Sequence, residues 1–251
     1  MTPRPACLDR LVAALAEPGG GEGVVRGRPP RDGRKAAVLI CFFGAAGAAP
    51  DDLRLIIIEK SARLRSHAGQ CAFPGGGVEP ADASSVAAAF REAHEEVDLH
   101  ADTVDLLGIL PAAHVAATGY DVTPVVAWWH APHPLAIGDA IEVAAIHEVR
   151  VGDLIDPANR LTWRLPMGHR GPGFLVGELF IWGFTAALLD GLITLAGWER
   201  PWDARRTELV PERFWHRADS ERVQADLRAS APDAATVDAS GPRATALNEP
   251  A

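Results

Sequence analysis

Cysteine is scarce in this chain, and no two cysteines form a CxxC pair. Cys7, Cys41 and Cys71 are the three present, an odd count. That argues against a disulfide framework and a structural zinc site, and it fits a reducing cytoplasm. Cys41 and Cys71 lie in apolar stretches and read as core thiols. Positive charge is also in short supply. Lys and Arg number 24 against 33 Asp and Glu, a net charge of -9. A general nucleic-acid or anionic-membrane surface needs the opposite balance. An anionic small molecule is still admissible, because a bound metal or a local basic patch can reverse the field. Long apolar runs are missing too. AAVLICFFGAAGAAP is too short to span a bilayer, and GFLVGELFIWGFTAALLDGL is broken by Glu178 and Asp190. The start, MTPRPACLDRLVAAL, has no long apolar segment of the secretory kind. No Gly-x-Ser-x-Gly elbow occurs, so serine hydrolase chemistry has no footing. The expectation is a cytoplasmic protein with no membrane segment.

What is present is 251 residues with 48% apolar content, enough to bury a sizeable core. CLDRLVAALAEP has helical spacing and is followed by turn-rich GGGEG and GRPPRDGR. Strands are predicted at residues 36–43 and 53–60, joined by a hairpin-like loop, GAAGAAPDD. Residues 61–82 read mostly as loop. Asp82 offers an N-cap, Ser84 and Ser85 are helix-start residues, and SSVAAAFREAHEEV gives a helix to about Val97. VDLLGILPAAHV, DVTPVVAWWH and IEVAAIHEVRV read as further strands, and GELFIWGFTAALLDGLITLAG as a strand entering a buried helix. Interleaved strands and helices indicate an α/β or α+β fold. The domain reading is an N-terminal extension over 1–34, a main domain over 35–202, and a C-terminal extension over 203–251, disordered from about 217.

The stretch FREAHEEVDL crowds Arg91, Glu92, Glu95 and Glu96 together. Glu92 and Glu96 are i,i+4, and Glu92 and Glu95 are i,i+3, so the three carboxylates can share one helix face. Like charges in that arrangement repel unless a cation sits among them. Hard oxygen donors suit Mg2+ or Mn2+. Arg91 is placed to orient a carboxylate by a bidentate contact. Val86, Ala87, Phe90 and Val97 provide a face to bury. Upstream, FPGGGVEP sets Gly75, Gly76 and Gly77 before the helix, where backbone can approach a ligand closely. Lys60, Arg63 and Arg65 form a basic patch in an acidic chain. Phe73 is open to two readings, an adenine-stacking face or a core position. His94 lies on another helix face from the glutamates and reads as a surface residue. His67, His114, His147 and His169 have no metal-like spacing.

Taken together, the glycines and the REAHEE core resemble the Nudix box. Ala93 is smaller than the usual bulky residue, and Asp98 stands where the pattern has glycine. The acidic position before the helix falls on Ala83 counted back from Arg91, or on Asp82 counted forward from Gly76. EKSARLRSHAGQCAFPGG further resembles the extra motif of the coenzyme A pyrophosphatase branch. Ser61, Arg65, Gly69, Phe73, Pro74, Gly75 and Gly76 match at fixed spacing, with Lys60 where arginine is usual and Ile58 in place of threonine. TGYDVTPVV and FIWGFTA look like that branch as well, and the likeness spans about residues 35–200.

The resemblance implies an α/β/α Nudix sandwich with a mixed sheet between helices. It implies metal-dependent cleavage of coenzyme A or acyl-CoA to 3′,5′-ADP and (acyl-)4′-phosphopantetheine. Glu92, Glu95 and Glu96 would hold Mg2+ or Mn2+, with Arg91 in the catalytic set. Lys60, Arg65, Phe73, Gly75 and Gly76 would bind substrate. A glutamate, from the cluster or a later one such as Glu142, would take the proton. The alternatives are the same chemistry on NADH or ADP-ribose, and a non-catalytic nucleotide sensor. The implied partner is a small nucleotide, not nucleic acid or membrane, and the chain is expected as monomer or homodimer.

Overall fold

A computed structural model describes residues 1–24, 29–64, 67–166 and 168–214. In chain order the elements are α1 (Asp9–Ala16), β1 (Arg34–Phe43), β2 (Arg54–Lys60), β3 (Cys71–Ala72), β4 (Gly75–Gly77) and α2 (Ser85–Val97). Then come β5 (Val104–Ile109), β6 (Ala113–Val115), β7 (Tyr120–Trp129), β8 (Val143–Arg150) and α3 (Val151–Ile155). The last are β9 (Arg160–Arg164), β10 (Arg170–Val176), β11 (Leu179–Ile181), α4 (Gly183–Ala196) and β12 (Thr207–Leu209).

The main sheet is mixed. β1 runs parallel to β7 along almost its whole length, from Arg34↔Tyr120 to Phe42↔Trp128. Its other edge is shared. β4 pairs antiparallel with its first half (Val38↔Gly75), and β2 pairs with its end (Phe42↔Leu55). β8 and β3 both join β2, and β5 and β6 join β7. A second, four-stranded sheet has the order β11-β10-β9-β12.

Period-two alternation assigns each central strand to two cores. Ala37, Leu39 and Cys41 of β1, Ile56 and Ile58 of β2, and Val125, Ala127 and Trp129 of β7 bury against α2. Ile40 and Phe42, Leu55 and Ile57, and Val126 and Trp128 face the other way, toward α1 and α4. Helices therefore cover both faces of a mixed sheet, which is the α/β architecture expected. α2 starts where Ser84 accepts a hydrogen bond from the Ala87 N–H at 3.2 Å. It stops at Asp98, whose φ of 57° is left-handed and whose N–H bonds back to the last turn. Asp is one of the few side chains that tolerate that conformation, so the pattern's glycine position keeps its shape.

Two expectations are corrected. Asp82 does not cap α2; Ser84 does, because it is the residue in extended conformation immediately before the first turn. The glycine triplet is not a loop but a strand, β4, held by its ladder to β1. The described part of residues 61–82 is otherwise mostly loop, as expected, β3 and β4 being its two short strands. Packing also runs past both ends of 35–202. Leu8 and Leu11 are fully buried in the α4 core, and Val210 and Phe214 are buried beside Trp163. The expected disordered tail lies outside the described residues.

Candidate active site

Alanines at 88, 89 and 93 are fully buried, which lets α2 lie close against the sheet. This closeness brings the helix carboxylates to β4. Glu96 is 2% exposed, and its two oxygens are both engaged. One accepts from the Gly75 N–H at 2.8 Å, and the other meets the Lys60 ammonium at 3.0 Å. β4 is thus the hinge between helix and upstream motif. A side chain at Gly75 would put its Cβ 2.3 Å from the Ala37 carbonyl oxygen, so only glycine allows this approach.

Arg91 organises the other end of the cluster. Its Nε and Nη2 donate to the two oxygens of Asp82, each at 3.1 Å. Nη1 donates to both Glu92 and Glu95 at 3.0 Å, and Nη2 also reaches the Gly77 carbonyl at 2.9 Å. One guanidinium therefore gathers three carboxylates and fastens them to β4. Asp82, read from sequence as a helix cap, is in fact the bidentate partner of Arg91.

The electrostatics follow. Burial pushes the Glu96 carboxyl above its ordinary range, and Lys60 and the Gly75 N–H pull it part of the way back. Burial also raises Glu92; Arg91 opposes the shift, and the charges of Glu96 and Glu95 add to it. Asp82 moves the other way, held low by its hydrogen bonds from Arg91. Crowded, half-desolvated carboxylates with raised proton affinity would be relieved by a bound divalent cation. The space agrees: a Cβ on Gly76 would fall 2.6 Å from the Glu92 carboxylate. The donor set is all oxygen, the kind that suits Mg2+ or Mn2+, but among the described residues Glu92, Glu95 and Glu96 do not bring their oxygens within 4.8 Å of one another, Arg91 and Lys60 standing between them.

Among the remaining expected residues, Glu142 sits in the turn before β8, half exposed, with an oxygen 3.8 Å from Lys60 Nζ. Arg65 lies outside the described residues. Phe73 is 2% exposed and packs in the α4-side cluster, which favours the core reading of the two, although it also borders the cavity. Cys41 and Cys71 are buried as expected, and burial pushes the Cys71 thiol up to about 12. His94 is exposed on α2, and with Asp98 and His100 it forms a small solvent-facing cluster at the C-terminal end of the helix, where positive charge is favoured.

On the opposite face of the sheet is a cavity of about 1130 Å³. It reaches from Lys60 and β4 past Val38, Tyr120 and Val122 to Trp163, Arg170 and Trp182. Sequence reasoning missed it, since its walls come from residues as far apart as Arg10 and Phe214.

The Nudix domain family model matches residues 33–160. The chain belongs to the Nudix family. It is 37% identical over 177 residues to a Citrobacter koseri protein named "Uncharacterized Nudix hydrolase NudL", covering 65% of this chain and 83% of that one. A Shigella flexneri protein of the same name is 35% identical over 175 residues, covering 68% and 86%. Among solved structures, the Nudix hydrolase RenU from M. smegmatis is 20% identical, with a TM-score of 0.46 over 68% of this chain and 89% of that one. As a Nudix hydrolase the protein acts on phosphoric anhydrides, and its substrates are small nucleoside diphosphate derivatives. Nudix hydrolases generally need divalent metal. No helix among the described residues is long and apolar enough to cross a membrane.

Proposed function

We propose that this Nudix hydrolase cleaves the diphosphate of coenzyme A or acyl-CoA, giving 3′,5′-ADP and (acyl-)4′-phosphopantetheine. One observation carries the reading. Lys60 and Gly75, at opposite ends of the upstream motif, both contact Glu96 of the REAHEE helix. The two motifs therefore form one site, and the motif resembling the coenzyme A branch borders the catalytic carboxylates. The cavity favours the same reading. At about 1130 Å³ it exceeds what a drug-sized ligand needs, leaving room for a nucleotide with a long arm.

Glu92, Glu95 and Glu96 would hold Mg2+ or Mn2+, which when bound would supply charge neutralisation at the diphosphate and a more acidic water. The chain's own groups do the rest. Arg91 fixes the positions of Glu92 and Glu95 through its shared Nη1. Lys60 compensates Glu96 and presents positive charge to the cavity that it lines. Proton removal needs a carboxylate with a path to solvent. Glu95 and Glu142, with side chains 53% and 49% exposed, meet that requirement better than buried Glu96.

The test is product analysis by mass after incubation with Mn2+ and coenzyme A, NADH or ADP-ribose. Formation of 4′-phosphopantetheine, at a kcat/KM at least tenfold above the other substrates, is expected. Preferential cleavage of NADH or ADP-ribose would replace the coenzyme A assignment with the other enzymatic reading. No cleavage of any substrate, with nucleotide still bound, would point to a sensor.

A further inference from the structure

A second group of ligand-type side chains gathers where α2 ends. His94 in the helix, Asp98 at its cap and His100 just beyond turn toward one another. His94 Nδ1 stands 3.6 Å from Asp98 Oδ1, and His100 Nε2 stands 3.5 Å from the same oxygen. All three ligand atoms lie within 4.8 Å of one another, and no other such group of His, Cys, Asp or Glu occurs among the described residues. The spacing is informative. A hydrogen bond between imidazole and carboxylate would draw the atoms to about 2.7–3.2 Å. Ligand atoms about 2.1 Å from a tetrahedral metal ion lie about 3.4 Å apart. The observed separations are nearer the second value.

The surrounding chain holds these side chains in place. Asp98 takes a φ of 57°, and its N–H donates to the His94 carbonyl at 2.9 Å. This left-handed cap folds the chain back so that positions 94, 98 and 100 meet. Leu99, 1% exposed, anchors the turn in the core. The His100 N–H donates to His133 Nε2 at 3.3 Å, and the His133 Nδ1–H donates to the Pro134 carbonyl at 3.1 Å. Both nitrogens of His133 are thereby committed, and it supports the group without joining it. Its ring lies 4.3 Å from that of His100 and edge-on to buried Trp129 at 5.1 Å. The His100 imidazole thus rests on a stack that ends in the core. Such outer support is what orients a metal-binding histidine.

We infer that His94, Asp98 and His100 form a binding site for a transition ion of the zinc class, separate from the carboxylate cluster that faces β4. Two imidazoles and one carboxylate suit Zn2+ and not Mg2+. Glu92, Glu95 and Glu96 offer oxygen alone, so two faces of one helix select different metals. The cysteine count excludes a thiolate site, not an imidazole one. The three side chains are 60%, 45% and 50% exposed, so an ion reaches them from solvent and water completes its shell. The C-terminal end of the helix dipole favours its charge. Bound there, the ion ties the last turn of α2 to the chain that leaves it, two residues beyond Glu96.

The experiment titrates Zn2+ into the full chain in saturating Mg2+, followed by calorimetry and by ¹⁵N spectra of the histidine side chains. One Zn2+ per chain should bind, moving His94 Nδ1 and His100 Nε2 most. Asp98→Gly keeps the left-handed cap without strain, and His100→Gln keeps a polar side chain. Each should weaken Zn2+ binding at least about tenfold, whereas Glu96→Gln should bind Zn2+ as wild type does. Zn2+ binding that survives in Asp98→Gly and His100→Gln but is lost in Glu96→Gln would overturn the site and assign the ion to the carboxylates. Unmoved histidine signals would overturn it as well. If a variant does not fold, the wild-type spectra decide: shifts at both named nitrogens support the site, and none refutes it. The result is independent of which diphosphate the enzyme cleaves.

Discussion

On one face of the main sheet, α2 rests on Ala37, Leu39 and Cys41 through small, fully buried alanines. On the other, Ile40, Phe42 and Trp128 meet α1, α4 and a cavity walled by Trp163 and Trp182. The first face is built from a short piece of chain. Gly75 to Glu96 supplies the strand, the helix and the carboxylates that meet between them. The second is assembled from Arg10 to Phe214. The contrast teaches that, on the proposed reading, reactivity and selectivity have separate origins: a compact stretch of sequence carries the carboxylates, and distant segments form the cavity. β4 and Lys60 belong to both, each bonding Glu96 while lining the cavity.

The largest expected effect lies on the α2 face. Glu96→Gln should lower kcat about a thousandfold, equivalent to roughly 4 kcal/mol of transition-state stabilisation, with KM for coenzyme A little changed. A large rise in KM with kcat preserved would mean that the two faces are not separable. Next comes the cavity face. Asp190→Ala strands the guanidinium of Arg160, which is 1% exposed and stacked between Phe174 and Trp202. Urea denaturation should show a loss of about 3 kcal/mol, with metal affinity intact at temperatures where the variant remains folded. Arg91→Ala should be milder. It removes the group that gathers Asp82, Glu92 and Glu95, and metal affinity by calorimetry should drop about 10- to 100-fold.

The smallest effect is on pH dependence. Glu92 and Glu96 have raised carboxyl pKa values in the folded protein, chiefly from burial. The folded state therefore holds these protons more tightly than the unfolded chain does. Their contribution to stability is fullest below the ordinary value of 4.5 and is lost as pH rises through the raised folded values. Without metal, the melting temperature of wild type should fall with rising pH more steeply than that of Glu96→Gln. Saturating Mg2+ should remove the difference, and parallel slopes without metal would contradict it.

The α2 face was largely legible from sequence, and the cavity face was not. β1 and β2 announce themselves by continuous apolar runs with a β-branched centre in β2, and α2 by its alanines and glutamate spacing. The glycines of β4 concealed a strand because glycine has no side chain to pattern, and only the ladder to β1 makes them extended. Asp82 looked like a cap because caps are read from local order, whereas its partner Arg91 lies about two turns into the helix that follows. Phe73 left two readings open, and burial favours the core. Leu8 and Leu11 looked like an extension, but they fill the sheet's second core. Trp163 gave no signal, and Trp182 entered the sequence reading only within FIWGFTA; that their indole N–H groups are unpaired shows only once the chain around them is folded.

The central claim is that the α2 carboxylates hold divalent metal. Mn2+ titration followed by electron paramagnetic resonance tests it directly, using wild type, Glu92→Gln and Glu96→Gln. The account predicts saturable Mn2+ binding by wild type, competed by Mg2+, and at least tenfold weaker binding by either variant. Equal binding by all three proteins would contradict it.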